Sequence, residues 1–85
     1  MRAGPFMQLA VTVHHDAASG VWYVHDSELP GLHAEAPTLD ALVAIIEDVA
    51  PDLIETNLPR GADGAVPSPE LRVQHVVRAK PARAA

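Results

Sequence analysis

Alternation of apolar and polar residues along the chain predicts four short β-strands. Residues 6–14 and 70–78 each alternate with a period of two, which is typical of a strand with one buried face. Residues 21–26 are dense in β-branched and aromatic side chains, and the turn-forming residues 15–20 join them to the first strand as a hairpin. Residues 32–36 predict a brief third strand that ends at a proline.

The second strand has two faces of different character. Trp22 and Val24 share one face, and Tyr23 and His25 share the other. We expect Trp22 and Val24 to face the core, and Tyr23 and His25 to face solvent or a partner. A single β-bulge would invert this assignment.

Turn and cap signals follow in the middle of the chain. Pro30 fixes φ, and Gly31 can adopt the positive φ that a type II turn requires. Pro37 ends the third strand, and Thr38 is a favourable N-cap for a helix. Asp40 lies in the first helical turn, where its charge complements the positive end of the helix dipole. The sequence therefore predicts a tight turn, a short strand and a capped helix in succession.

The predicted helix has the strongest pattern in the chain. Its apolar residues recur at intervals of three and four and form one face: Leu39, Leu42, Val43, Ile46, Val49, Ala50, Leu53 and Ile54. The opposite face is acidic: Asp40, Glu47, Asp48, Asp52 and Glu55. Pro51 falls on this polar side, so we expect either a kink there or a second short helix that starts at the proline.

These elements predict one two-layer α+β domain of order β-β-β-α-β, in which one long helix packs on a small, mostly antiparallel sheet. Residues 57–69 contain repeated Pro and Gly turn signals and are expected to form the loop before the fourth strand. We expect the domain to span residues 1–78, and residues 79–85 to form a flexible tail.

The length of 85 residues limits the chain to one domain with a thin core. Self-association would add buried surface, so we expect a homo-oligomer, most simply a dimer. There is no cysteine for a disulfide or a thiolate metal site. The N-terminus lacks the pattern of a signal peptide, and no apolar run approaches the roughly 20 residues that cross a bilayer. We therefore expect a cytoplasmic protein with no membrane partner.

Charge is divided unevenly along the chain. Residues 1–59 hold nine acidic residues against Arg2 alone, a net charge of −8, whereas residues 60–85 hold five basic residues against two acidic ones, a net charge of +3. An acidic body repels nucleic-acid phosphates and suits a cationic partner. The basic residues near the C-terminus could attract acidic surfaces or nucleic acid, but such spaced cations are more often simply solvated: Arg72, Arg78, Lys80 and Arg83.

Five histidines make metal binding the first chemistry to consider. His14 and His15 are adjacent on a predicted strand and point to opposite faces, so they cannot ligate one ion without a local turn. His25 could instead oppose His14 or His33 across strands and form a pH-sensitive patch.

Catalytic patterns are equally weak. The carboxylates of the helix lie on its solvated side, no serine stands in a strand-turn-helix elbow, and the glycine-containing residues 61–64 follow no strand. We therefore expect no enzymatic activity, no catalytic residue, no metal and no cofactor.

Residues 20–42 combine the most distinctive motifs: a strand with Val-Trp-x-Val at 21–24, a Leu-Pro-Gly-Leu turn at 29–32, and Thr38-Leu39 opening a helix of Leu, Val and Ile. On these motifs, residues 7–58 resemble the HicB-like antitoxins and their short stand-alone relatives of unknown function. For full-length members the resemblance implies an N-terminal domain that binds a small basic RNA-cleaving toxin. A helix-turn-helix or ribbon-helix-helix segment that binds DNA would then follow.

The chain departs from that pattern after Pro59, where the predicted elements are a loop, one strand and a tail. We expect this strand to complete the sheet. In the alternative, its outward residues Arg72, Gln74 and Arg78 would read DNA as a β-ribbon paired with a dimer mate. Because the two helices of a ribbon-helix-helix are not among the predicted elements, we do not expect nucleic acid to be the main partner.

The resemblance and the acidic body lead to one functional hypothesis, a non-catalytic antitoxin-like module that neutralises a small basic toxin through an acidic surface. The candidate partner-binding residues come from the turn after the second strand and from the helix: Asp26, Glu28, Glu47, Asp48, Asp52 and Glu55. The alternative is a stand-alone structural or regulatory dimer that uses the fourth strand as a pairing edge.

Overall fold

The computed structural model describes residues 7–77, which form a four-stranded sheet with one helix packed on it. The elements are β1 (Gln8–Asp16), β2 (Val21–Ser27), β3 (Glu35–Ala36), α1 (Leu39–Asn57) and β4 (Glu70–His75). The strand order is β3-β2-β1-β4, in which β1 pairs antiparallel with β2 and parallel with β4, and β2 pairs antiparallel with β3. The predicted α+β class, element order and mostly antiparallel sheet are confirmed.

A tight turn closes the predicted β1–β2 hairpin. The Ala18 backbone N–H donates to Oδ1 of Asp16 at 3.0 Å, and the Gly20 N–H donates to the Asp16 carbonyl at 2.7 Å. Gly20 has a φ of 75°, a conformation that residues with a Cβ rarely adopt. These local contacts reverse the chain within the predicted turn.

A bulge in the hairpin decides which side chains of β2 reach the core. The β1–β2 register shifts between Thr12 and Val13 and leaves His25 without a pairing partner on β1. Beyond the bulge, Val24 lies opposite the fully buried Val13. Val24 and Trp22 pack against the core, so the predicted assignment of faces is confirmed despite the bulge.

The turn after β2 is tied to the end of α1. Leu29 is fully buried, and the Ser27 hydroxyl accepts from its N–H at 2.9 Å and donates to its carbonyl at 3.0 Å. Gly31 has a φ of 84°, as the predicted turn requires. The Asn57 side-chain amide donates to the Pro30 carbonyl at 2.9 Å. A Cβ on Gly31 would stand 2.8 Å from Nδ2 of Asn57, so glycine provides both the conformation and the space.

One continuous helix packs on the sheet. Thr38 caps it as predicted, because its Oγ1 accepts from the Ala41 N–H at 3.1 Å. The helix continues through Pro51, which is exposed. The alternative prediction that a second short helix starts at this proline is therefore wrong. Its buried residues follow one another at one-turn intervals: Leu42, Ile46 and Ala50.

Two strands are shorter than predicted. The third strand is only Glu35–Ala36, because Leu32 belongs to the preceding turn and buries its side chain in the core. β4 ends at His75, the last residue of this strand that pairs with β1. Arg78 and the predicted tail, residues 79–85, lie outside the described residues.

The core lies between α1 and the sheet. The described residues that are buried in it are all hydrophobic: Val11, Val13, Leu29, Leu32, Ala36, Leu42, Ile46 and Ala50. In the described part of the chain, no helix is both long enough and apolar enough to cross a membrane.

Candidate functional site

The solvent side of α1 is acidic. Four exposed carboxylates form what we call the acidic helix face: Glu47, Asp48, Asp52 and Glu55. The helix contains no Lys, Arg or His. Among residues 7–77, Glu55 forms an ion pair with Arg60, with 3.7 Å between Oε2 of Glu55 and Nη2 of Arg60. Because both side chains are at least half exposed, this pair neutralises little of the face.

The two acidic residues of the turn lie elsewhere. Asp26 pairs with Thr12 inside the sheet, so it belongs to the sheet layer and not to the helix layer. Glu28 continues the sheet: its Oε1 accepts from the Ala10 N–H at 2.7 Å, and its own N–H donates to the Ala10 carbonyl at 2.9 Å. Of the six predicted partner-binding residues, the structure therefore brings four together and separates Asp26 and Glu28 from them.

The sheet surface opposite α1, which we call the open sheet face, carries an aromatic cluster. The rings of His14 and His25 stack with centroids 4.0 Å apart, as expected if the two histidines oppose each other across the hairpin. Tyr23 meets His14 edge-on at 5.9 Å. The unpaired position of His25 at the bulge allows its ring to lie over that of His14. His33 is not part of this cluster.

A second cluster lies on the helix side of the sheet. His15 stacks on Trp22 at 4.8 Å between centroids, and His75 meets Trp22 edge-on at 4.6 Å. His14 and His15 therefore point to opposite faces, as predicted. The contribution of His75 could not be predicted, because it depends on β4 pairing with β1. The only sequence signal was the alternation that places His75 on the same face of β4 as Val73.

The predicted nucleic-acid residues of β4 lie on the open sheet face. Arg72 and Gln74 are exposed there, and the Gln74 side-chain amide donates to Oγ1 of Thr12 at 3.0 Å. Arg78 lies outside the described residues. β4 completes the sheet as expected, while a role as a β-ribbon that reads DNA stays a prediction.

Within residues 7–77, no group of three or more His, Cys, Asp or Glu side chains could hold a metal ion, and no polar side chain is buried. Open grooves lie beside the turn at residues 27–33 and beside β3, with His33 on the wall of both.

The carboxyl group of Asp16 has a pKa below its ordinary value. The largest cause is a hydrogen bond from the Ser19 side chain to this carboxylate, and the second is a hydrogen bond from the Ala18 N–H; both lower the pKa of Asp16. Asp16 is exposed, and its hydrogen-bond partners are residues of the hairpin turn, so the lowered pKa reflects the structure of that turn.

These features define a small α+β domain that offers two exposed surfaces, one acidic and one with clustered aromatic rings. The chain belongs to the family described as "Domain of unknown function (DUF1902)", which it matches over residues 8–79. It is similar to the crystal structure of hypothetical protein TTHA1013 from the extremely thermophilic bacterium Thermus thermophilus. The two chains are 29% identical, the match covers 84% of this chain and 97% of that one, and the TM-score is 0.62. No curated protein matches the chain.

Proposed function

We propose that this protein is a non-catalytic binding module that captures a small basic protein on its acidic helix face. Through the resemblance to HicB-like antitoxins, we further propose that the partner is an RNA-cleaving toxin whose RNA-binding surface becomes covered. The observation that carries the proposal is the acidic helix face itself, four exposed carboxylates on a helix without a single basic residue.

The cost of this surface to the free protein supports a binding role. Asp48 and Asp52 stand one turn apart, and Asp52 and Glu55 are three residues apart, so like charges repel by about 0.2–0.5 kcal/mol for each pair. Glu55 also lies in the last turn, at the negative end of the helix dipole, where a carboxylate is unfavourable. A cationic partner would relieve both penalties on binding.

The charge of the whole domain acts in the same direction. Residues 7–77 hold all eleven acidic residues of the chain but only two basic ones, Arg60 and Arg72, a net charge of −9. A field of this sign accelerates the encounter with a cationic protein and weakens as salt is added. It also repels RNA, as expected of a protein that occupies the RNA-binding surface of its partner and does not bind RNA itself.

A charge-reversal experiment tests the proposal. The tagged wild-type protein is used to isolate its partner from native cells at low and high salt, and the association rate is then measured as a function of ionic strength. We expect the triple change Glu47→Lys, Asp48→Lys and Glu55→Lys to slow association and to remove most of its salt dependence. Ribonuclease activity of the isolated partner should fall on addition of the wild-type protein but not of this variant.

A matched control reverses three exposed carboxylates that are not candidate partner-binding residues, with Glu35→Lys, Asp63→Lys and Glu70→Lys. It changes the net charge by the same amount and should keep most of the association rate. An equal effect of the two triple variants would show that only net charge matters. An unchanged rate in the helix variant would refute the proposal.

A further inference from the structure

The outer edge of β4 carries backbone groups that no described segment pairs with. The Glu70 N–H donates to the Met7 carbonyl at 3.0 Å, on the β1 side. Because successive residues of a strand turn their backbone groups to alternate sides, Arg72 and Gln74 also face β1. Leu71, Val73 and His75 therefore direct their N–H and C=O groups to the outer edge: three donors and three acceptors in a row. Among residues 7–77, β4 is the last strand on this side of the sheet.

Partly and fully exposed apolar side chains lie at the same edge. α1 approaches β2 and β3 more closely than β4, and Leu71 and Val73 are only half-buried on the helix side of β4. Val76 and Val77, which directly follow β4, are 61% and 71% exposed. Exposed apolar residues beside an unpaired strand mark an interaction site and, in a monomer, a hazard for aggregation.

We propose that β4 pairs antiparallel with β4 of a second copy of this chain, which joins two four-stranded sheets into one of eight strands. The pairing is centred on Val73, which faces Val73 of the second copy across a two-fold axis. Leu71 of each copy then faces His75 of the other, and the three pairs exchange about six backbone hydrogen bonds. This inference does not depend on the acidic helix face.

The sequence of β4 suits this self-pairing. In this register Arg72 lies opposite Gln74 and Glu70 opposite Val76, so no like charges stand directly opposite each other. Val76 and Val77 of each copy come to lie beside residues 69 and 70 of the other, and their exposed surface is reduced. A second copy also enlarges the core, in which eight of residues 7–77 are buried.

Proline substitutions in β4 can block pairing at its outer edge without disrupting its pairing with β1. His75→Pro removes an outward N–H and places a ring on the edge, but leaves the β1–β4 hydrogen bonds intact. His75→Ala is its matched control, because it removes the same side chain, including the contact with Trp22, and keeps the N–H. Gln74→Pro removes an inward N–H and should destabilise the domain itself.

Sedimentation equilibrium over a range of micromolar concentrations gives the oligomeric state. We expect the wild type and His75→Ala to have twice the 9.0 kDa chain mass. His75→Pro should retain its circular dichroism spectrum but dissociate, with a dimer dissociation constant raised on the order of 100-fold or more. A monomeric wild type, including one that pairs only with a different protein, would overturn the proposal. So would a His75→Pro variant that dimerises as tightly as His75→Ala.

A cross-link tests the register. The chain has no cysteine, so Val73→Cys introduces a single thiol, and its Cα would lie about 5.5 Å from the equivalent Cα in a backbone-bonded antiparallel pair. That distance permits a disulfide. We expect mild oxidation to convert Val73→Cys to covalent dimer, and Thr12→Cys, in the interior of the sheet, to remain uncross-linked. Cross-linking of Thr12→Cys but not of Val73→Cys would place the interface on another surface and refute the proposal.

Discussion

Stability should depend heavily on single core residues, because the described core contains only eight buried side chains. Two residues of α1 allow a matched comparison. Leu42 is fully buried, whereas Ile45, almost one turn further along the helix, is 37% exposed. Replacing each of them by alanine removes a similar aliphatic side chain from the same helix but only one of them from the centre of the core.

The two substitutions should differ in their cost. Leu42→Ala removes about three methylene equivalents at about 0.8 kcal/mol each, and the cavity left behind raises the cost to about 3–4 kcal/mol. A domain of this size has a free energy of unfolding of roughly 4–12 kcal/mol, so the variant loses a large fraction of it. Ile45→Ala should cost about 1 kcal/mol or less, since its side chain is partly exposed already and alanine favours the helix.

Urea unfolding followed by the fluorescence of Trp22 measures this difference. Trp22 is the single tryptophan of the chain and is half-buried between His15 and His75, so its emission reports the folded sheet. With a slope near 1 kcal/mol per molar urea, the midpoint should fall by roughly 3 M for Leu42→Ala and by less than about 1 M for Ile45→Ala. Protein concentration is kept constant because self-association would contribute to stability. Equal shifts in the two variants would refute the reasoning from burial.

Two further predictions concern the turns. Gly20→Ala and Gly31→Ala both force alanine into positive φ, at a cost of about 1–2 kcal/mol in unfolding free energy. Only at Gly31 would the new Cβ meet Nδ2 of Asn57. Thermal unfolding should therefore show that Gly31→Ala is the more destabilising of the two. Similar costs would contradict the close approach to Asn57. The pKa of Asp16 is lowered in the folded protein, so its contribution to stability is present above the pKa of the unfolded chain and is lost as pH falls through the folded value. In a carboxyl NMR titration, Ser19→Ala should raise the pKa of Asp16; no change would show that the Ser19 side chain is not the main cause.

Local chemistry made much of the fold predictable from the sequence. Thr38 begins a helix because a side-chain oxygen can satisfy an N–H of its first turn, and Gly31 fits a turn that needs positive φ. The amphipathic period of α1 identified Leu42, Ile46 and Ala50 as core residues, and the same period placed the acidic helix face on the solvent side. Each of these features depends on residues within one or two turns of one another.

Contacts between distant segments could not be predicted in this way. The sequence indicated a strand at residues 70–78 but not its partner, and only the parallel pairing with β1 brings His75 to Trp22 and Gln74 to Thr12. Strand choice depends on the competing packing of the whole sheet, which no local pattern records.

The candidate partner-binding residues were likewise predictable within one element but not between elements. The sequence determined that the domain is acidic and that Glu47, Asp48, Asp52 and Glu55 share one side of a helix. Only the tertiary structure decided that Glu28 bonds to the start of β1 and that Asp26 belongs to the sheet layer. The physical reason is range: a helix fixes the relative positions of its own side chains through its period, whereas the position of a turn relative to a helix is set by how both pack on the shared core.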